Sequence, residues 1–270
     1  MKDINHTRNK INQIDEQITR LLNERFILLE DILEYKVLKG EYIENHFREM
    51  EVMGKVMEES GIYAPYLEEV YRKIMDVSKC YQWKSLFKEN IYIIGFMAVG
   101  KTTLGKKISK KIQWDFLDTD LFIEELEQRK IKDIFTDSGE DYFRDLETKV
   151  IENIQKNWDI RQEKKVIACG GGIILNPENV KTMKKNGVIV HLEGDINTIY
   201  NRLILDQTRP LLSEAKDLKE RIEKLLKVRR DIYNEVADIT LYTGDETPNN
   251  LVQELIRKLE DYERERSLSK

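Results

Sequence analysis

Residues 91–104, IYIIGFMAVGKTTL, constrain this chain more than any other stretch. Ile91, Tyr92, Ile93 and Ile94 are apolar, mostly β-branched, and read as a buried strand. They lead into GFMAVGKT, a complete GxxxxGK[ST] pattern over residues 95–102, and then into a helical stretch over residues 104–112. Strand, glycine loop and helix in that order are the setting this pattern needs to hold phosphate. Gly95 and Gly100 let the backbone turn its N–H groups toward a phosphate chain at the positive end of the helix. Lys101 is placed to reach the β- and γ-phosphates, and the Thr102 hydroxyl to ligate Mg²⁺. Ala98, Val99 and Thr103 complete the expected nucleotide-binding set.

A phosphate loop on its own leaves the class of protein open, and the whole chain narrows it. With 270 residues, one or two domains are expected. A net charge of −5 and a pI near 5.6 argue against a nucleic-acid partner, which needs a basic surface. Cys80 and Cys169 lie far apart in unrelated contexts, which suggests a reducing compartment rather than a disulfide framework. The start, MKDINHTRNK, is too polar for a signal peptide, and the longest apolar run is the strand before the glycine loop, far short of a membrane span. A soluble, cytoplasmic protein with no membrane partner is the expectation.

Downstream of the loop, WDFLDTD reads as a second strand ending in Asp118 and Asp120. Two carboxylates at i, i+2 point the same way, so one can sit on Mg²⁺ and the other on a substrate hydroxyl. A helix N-cap cluster before LFIEELEQ is the other reading. IKDIFTDSGEDYFRDLE comes next, carrying Gly139, Glu140, Phe143, Arg144 and Glu147. A strand at residues 166–168 then runs into Gly170, Gly171 and Gly172, which permit close backbone approach to a ligand or form a plain flexible turn. Another strand, VIVHLEG, precedes a helix with Arg202. QTRPLLSE with Arg209 reads as a mobile polar loop, and KLLKVRRDIYNEVADITL places Arg229 and Tyr233 on a helix entering a last strand. A terminal helix is expected over residues 250–264, with a frayed end. Strand and helix in alternation predict an α/β fold, a parallel sheet covered by helices on both faces.

The first ninety residues are different in kind. No glycine occurs before Gly40 and no proline before Pro65. Ile11, Ile14, Ile18, Leu21, Leu22, Leu28, Leu29 and Ile32 recur at three- and four-residue spacing, which predicts one helix over residues 3–38. Such a helix spans roughly 50 Å, too long for so short a domain to cover alone. Further helices fit residues 44–59 and 65–84. An all-α, three-helix domain sharing its core with a second copy, a homodimer, is therefore expected for residues 1–88, ahead of a P-loop domain over residues 89–270. Arg25 and Lys36, eleven residues apart, share a face with Leu29 and Ile32 between them, which suits an anionic ligand with a hydrophobic body. Arg8 lies roughly 25 Å before Arg25 and could serve the same pocket only from a partner chain. Ser78 and Gln82 form an i, i+4 polar pair, and Arg48 and Glu49 are adjacent. Each of these also has the plain reading of a solvated helix position.

Two resemblances sharpen these readings. RNKINQIDEQITRLLNERFILLEDILEYK, HFRE and DVSKCYQ resemble the all-helical chorismate mutases over residues 4–83. That resemblance implies an intertwined helical dimer that rearranges chorismate to prephenate. Arg8 (from a partner chain), Arg25 and Arg48 would hold carboxylates with help from Ser78, Lys36 and Gln82 would donate to the ether oxygen, and Glu49 would take the ring hydroxyl. Asn45 stands where that family usually has aspartate. A related pyruvate-lyase fold or a regulatory domain sensing chorismate or prephenate are the alternatives.

LDTD, GExxFR, GGG, TRPLL and RxxxY, in this order over residues 90–262, closely resemble shikimate kinase. The resemblance implies ATP and Mg²⁺ as co-substrate and metal, with Thr102 and Asp118 on the metal. Asp120 would bind shikimate and orient the attacking hydroxyl, Arg144 and Arg229 would clamp the carboxylate, and Gly171 would contact the substrate by backbone. Arg209 would close over the phosphates and Arg202 would flank the adenine. A kinase for another small polyol acid, such as gluconate, is the alternative.

Overall fold

The computed structural model describes residues 3–161, 164–205, 218–244 and 246–269. It divides into a helical unit up to Phe87, which includes the chain end from Glu263, and a sheet unit, Lys88–Tyr262.

In the helical unit, α1 (Ile4–Lys39) starts at an Asp3 cap whose carboxylate accepts from Asn5 N at 2.9 Å. It stops at Gly40, which takes the left-handed conformation that ends helices, φ 72°. α2 (His46–Glu59) is capped by Asn45, whose Oδ1 accepts from Arg48 N at 3.0 Å. α3 (Ala64–Leu86) has Pro65 in its first turn, where the missing N–H costs nothing. Of the 36 residues of α1, Leu29 alone is buried, while Ile4, Ile11, Ile14, Ile18, Leu21 and Leu28 are exposed. The helix is as oversized as its spacing suggested.

The sheet unit holds β1 (Asn90–Ile94), α4 (Lys101–Ile112), β2 (Asp115–Asp118), α5 (Thr119–Glu127) and α6 (Ile131–Arg161). Next come β3 (Lys165–Ala168), α7 (Pro177–Asn186), β4 (Gly187–Glu193), α8 (Ile196–Leu205), α9 (Leu218–Val236) and β5 (Ile239–Tyr242), and α10 (Pro248–Leu268) ends the chain. The five strands pair in the order β2-β3-β1-β4-β5, and every pairing is parallel. Parallel neighbours need helical crossovers, and the buried strands Ile91–Ile94 and Val166–Ala168 have the unbroken apolar character of a sheet covered on both faces. Tyr92 is the exception on β1, and its buried hydroxyl donates to Asn186 Oδ1 at 2.7 Å.

Register decides where chemistry can happen. Ile93 pairs with Ala168, and Asp118 pairs with the same Ala168 from the other side. The carboxyl ends of β1, β2 and β3 therefore finish level, and the turns leaving them share one rim. Ligands of open α/β sheets bind at such a rim, where strand order reverses, and here β1 is the reversal.

Several boundaries differ from expectation. β2 ends at Asp118, and Asp120, expected with it at the strand end, lies in the first turn of α5, which Asp118 caps. α4 begins at Lys101 rather than 104, because Gly100, at φ 105°, turns the loop straight into the helix. α10 runs to Leu268 rather than stopping at 264 with a frayed tail. The Ser267 and Ser269 hydroxyls fold back onto Glu263 O and Glu265 O at 2.8 and 2.7 Å, and Ser269 N also bonds Glu265 O at 3.2 Å, holding the last turn closed.

Candidate active sites

The rim of the sheet unit is built from three turns. After β1 the glycine loop carries left-handed residues at Ala98 (φ 61°) and Gly100, and Gly95 sits at φ 143°. A Cβ on Gly95 would strike Leu192 O, so only glycine lets this loop leave the strand against β4. Lys101 Nζ arches back over the loop to Gly95 O and Phe96 O, both at 2.9 Å. Arg202 Nη1 reaches the same loop, donating to Ala98 O at 3.2 Å and Val99 O at 2.9 Å.

After β2, Asp118 does two things at once. Its Oδ1 accepts from Asp120 N and Leu121 N at 3.1 and 3.3 Å, capping α5, while its Oδ2 accepts from the Thr102 hydroxyl at 2.6 Å. The cap reading and the metal reading are thus compatible, since each uses a different oxygen.

After β3 come the three glycines. A Cβ on Gly170 would lie 2.6 Å from Asp120 Oδ1 and 2.7 Å from Glu147 Oε1, and one on Gly172 would overlap the Arg144 guanidinium. Gly171 O accepts from the Tyr233 hydroxyl at 2.6 Å and from Arg229 Nη1 at 3.3 Å. The side chains around Gly170 and Gly172 leave no room for a Cβ at either position, while one on Gly171 would make only ordinary contacts.

Between the turns lies a cleft of about 620 Å³, whose lining includes Met97, Asp120, Phe135, Phe143, Arg144, Glu147, Gly171 and Arg229. Arg144 Nη1 pairs with Glu147 Oε2 at 2.7 Å, and Arg144 Nη2 with Glu140 Oε1 at 2.7 Å. Burial works against the Arg144 cation, but Glu147 and Glu140 outweigh it and raise its pKa. Glu147 is 1% exposed. Desolvation pushes its carboxyl up to about 7, against the pull of Arg144 and with a further push from Asp120. Two guanidiniums, a carboxylate and a backbone turn around an apolar floor suit a small hydroxylated carboxylate.

The helical unit has a pocket of its own, about 640 Å³, walled by all three helices. α1 contributes Arg25, Leu29, Ile32 and Lys36, α2 contributes Arg48 and Glu49, and α3 contributes Met75, Ser78, Lys79 and Gln82. Arg25 donates to the Ser78 hydroxyl, which donates in turn to Ile74 O at 2.6 Å. Burial lowers the pKa of Arg25. Lys36 Nζ donates to Ile43 O at 2.6 Å, tying α1 to the loop before α2. Gln82 Nε2 donates to Ser78 O at 3.2 Å, and Gln82 Oε1 is buried with no hydrogen-bond partner. Ser78 and Gln82, each 4% exposed, are pocket residues and not solvated helix positions.

A model of the shikimate kinase family matches residues 97–260. The chain belongs to the shikimate kinase family. A shikimate kinase of Sulfurihydrogenibium sp. is 43% identical over 171 residues, 63% of this chain and 98% of that protein. One of Thermodesulfovibrio yellowstonii is 40% identical over 172 residues, 64% of this chain and 95% of its own length. Among solved structures, shikimate kinase from Acinetobacter baumannii in complex with shikimate is 32% identical with a TM-score of 0.59, covering 64% of this chain and 94% of that one. A model of chorismate mutase type II matches residues 7–83. The chain therefore carries a shikimate kinase domain and a chorismate mutase type II domain.

Placed against the expectations, Asp120, Arg144, Gly171 and Arg229 line one cleft of the shikimate kinase domain, and Thr102 meets Asp118. Arg202 lies on the backbone of the glycine loop. Arg209 lies outside the described residues. In the helical domain Arg25, Lys36, Arg48, Glu49, Ser78 and Gln82 share one pocket, and Arg8 does not line it. Three participants carried no expected role. Glu147 stands three residues after Arg144, a spacing that already put them on one helix face. Tyr233 stands four after Arg229. Lys79 stands four residues after Met75 and three before Gln82 on α3, a spacing that any helical surface lysine can share.

Proposed function

We propose that the chain is a bifunctional enzyme of the shikimate pathway that phosphorylates shikimate with ATP and rearranges chorismate to prephenate. The observation that carries the kinase reading is the single cleft holding Asp120, Arg144 and Arg229 beside Met97 of the phosphate loop. In this reading Arg144 and Arg229 hold the shikimate carboxylate, which sets the ring so that one hydroxyl faces Asp120. Asp120 orients that hydroxyl and accepts its proton as the oxygen attacks the γ-phosphorus. Lys101 and the N–H groups at the start of α4 hold the phosphates, and Arg209, as the family likeness implies, would offset charge in transfer. Thr102 and Asp118 would hold Mg²⁺. Among the described residues no group of three or more His, Cys, Asp or Glu is placed to bind a metal, so water and substrate phosphate would complete the coordination of this ion. When bound, it would neutralise charge on the β- and γ-phosphates.

In the helical domain the reaction is a unimolecular shift that needs no nucleophile. Arg25 and Arg48 would hold the two carboxylates in the compact shape, while Lys36 and Gln82 meet charge growing on the ether oxygen. Gln82 Nε2 gives one N–H to Ser78 O and has a second to donate. The exposed stripe of α1 supports a homodimer in which a second copy covers Ile11, Ile14, Ile18 and Leu21 and brings its Arg8 to the pocket. No described helix is long and apolar enough to cross a membrane, and Cys80 and Cys169 are unbridged, in keeping with a cytoplasmic enzyme.

Purified protein given shikimate, ATP and Mg²⁺ should release ADP, and Lys101→Ala should abolish it. Turnover of gluconate in place of shikimate would overturn the substrate assignment. Loss of chorismate absorbance should persist in Lys101→Ala and vanish in Lys36→Ala. Binding of chorismate without turnover would make the helical domain a sensor.

A further inference from the structure

Among the described residues, Lys79 is the one cation of the helical pocket that the expected substrate contacts leave without work. It sits on α3 beside Ser78, with its side chain 16% exposed, and its Nζ lies 3.2 and 3.3 Å from the two carboxylate oxygens of Glu49 on α2. On its solvent side the same ammonium meets Asp76 at 3.2 Å, and Asp76 is 63% exposed. The ammonium thus has one partner in the pocket wall, Glu49, and one exposed partner outside the pocket, Asp76. Burial opposes charge on Lys79, and the two carboxylates outweigh it and raise its pKa.

Glu49 has a demanding position. It lines a pocket shared with Asp31 and Glu41, and in the proposed mutase reaction it must accept a hydrogen bond from the ring hydroxyl. A carboxylate does this best when ionised and held at a fixed angle. Arg48 Nη1 is paired instead with Glu51 Oε2 at 2.5 Å. Lys79 spans both oxygens of Glu49, as a compact, strongly hydrated point charge can from the side of a carboxylate. A bridge between α2 and α3 serving stability alone would not need to lie in the pocket wall.

We propose that Lys79 is a positioning residue of the mutase site, holding the Glu49 carboxylate in place and aimed at the ring hydroxyl of chorismate. This rests on the mutase reading. It assigns to the position after Ser78 a role in substrate affinity.

The test is a double-mutant cycle on the full-length protein, with chorismate as the probe. Lys79→Met should raise the KM for chorismate on the order of tenfold, with a smaller change in kcat, since one charge-assisted contact loses its support. Glu49→Gln should raise KM as well. In the Glu49→Gln background, Lys79→Met should add nothing, and Lys79→Arg in the natural background should recover most of the lost affinity. Asp76→Asn, which removes only the outer partner, should leave KM unchanged. Melting curves of each variant read the structural contribution separately. Additive effects of Lys79→Met and Glu49→Gln, or a lowered melting temperature with an unchanged KM, overturn the proposal while leaving the mutase reading intact. A natural protein that neither binds nor converts chorismate overturns the mutase reading, and the role of Lys79 with it. If chorismate binds without turnover, the same cycle is read on Kd, and non-additivity there supports the positioning role.

Discussion

Thr102 Oγ1 donates to Asp118 Oδ2 at 2.6 Å, while the other oxygen of Asp118 caps α5 through Asp120 N and Leu121 N. One carboxylate thus ties the phosphate loop to the first turn of α5, which carries the proposed base. Its two oxygens have separable jobs, and two substitutions divide them.

Asparagine is as good an N-cap as aspartate but a poor ligand for Mg²⁺. Asp118→Asn should keep the melting temperature close to that of the natural protein and lower the ADP-release rate on the order of 10²-fold. Asp118→Ala should lose the rate and also about 1 kcal/mol of stability with the cap. Equal melting temperatures for the two variants would refute the division.

Neighbouring glycines should give different kinetic signatures. An added methyl on Gly170 meets Asp120 Oδ1 and Glu147 Oε1, so Gly170→Ala displaces the group proposed to take the proton. Its main effect should be on kcat. The methyl of Gly172→Ala instead meets the Arg144 guanidinium, the proposed carboxylate clamp, and should mainly raise the KM for shikimate. Steady-state kinetics with shikimate varied at saturating ATP distinguishes them, and identical signatures would count against the assigned roles.

Glu147 makes stability depend on pH in a direction opposite to that of most carboxylates. Its carboxyl is raised from 4.5 to about 7 by burial. The folded state therefore holds a proton that the unfolded chain releases earlier. The contribution is complete below 4.5 and is lost as pH rises through about 7. Between pH 5 and pH 8 the stability advantage of the natural protein over Glu147→Gln should shrink by an amount on the order of a few kcal/mol. Urea unfolding of both proteins at the two pH values measures it, and an advantage that grows with pH would show Glu147 ionised throughout.

Local geometry is readable in a sequence, and depth is not. The strand-loop-helix around Gly95 was readable because the two glycines and the apolar run determine their own geometry. The α1 register was readable because thirty-six residues without a breaker repeat one period. Arg25, Lys36, Ser78 and Gln82 came from three- and four-residue spacing together with a family pattern. Glu147, by contrast, looks like any helical acid until Gly170 and Gly172, lacking side chains, let α6 approach the turn after β3. Lys79 looks like any lysine until α2 brings Glu49 to it. Asn45 looked like a loss where aspartate is usual, and its Oδ1 still accepts from Arg48 N, the cap either residue could supply. Arg202 was expected near an adenine, and its contacts with the carbonyls of Ala98 and Val99 depend on a helix more than a hundred residues away.

The exposed stripe of α1 leads to a test of the shared site. Arg8 lies seventeen residues before Arg25, roughly 25 Å along one helix axis, so it cannot enter the pocket walled by its own Arg25. In a symmetric dimer each pocket would take Arg25 from one chain and Arg8 from the other. Arg8→Ala and Arg25→Ala should each be inactive toward chorismate as pure proteins while retaining shikimate kinase activity. Unfolded together and refolded as a mixture, half of the dimers pair one variant with the other, and one pocket of each such dimer has both arginines intact. About a quarter of the natural mutase activity should return. Recovery of that fraction would establish both the dimer and the crossing of Arg8 between chains. Two variants that stay inactive when mixed, in a protein that sediments as a dimer, would overturn the crossing of Arg8, and an Arg8→Ala protein with full mutase activity would place Arg8 outside the site.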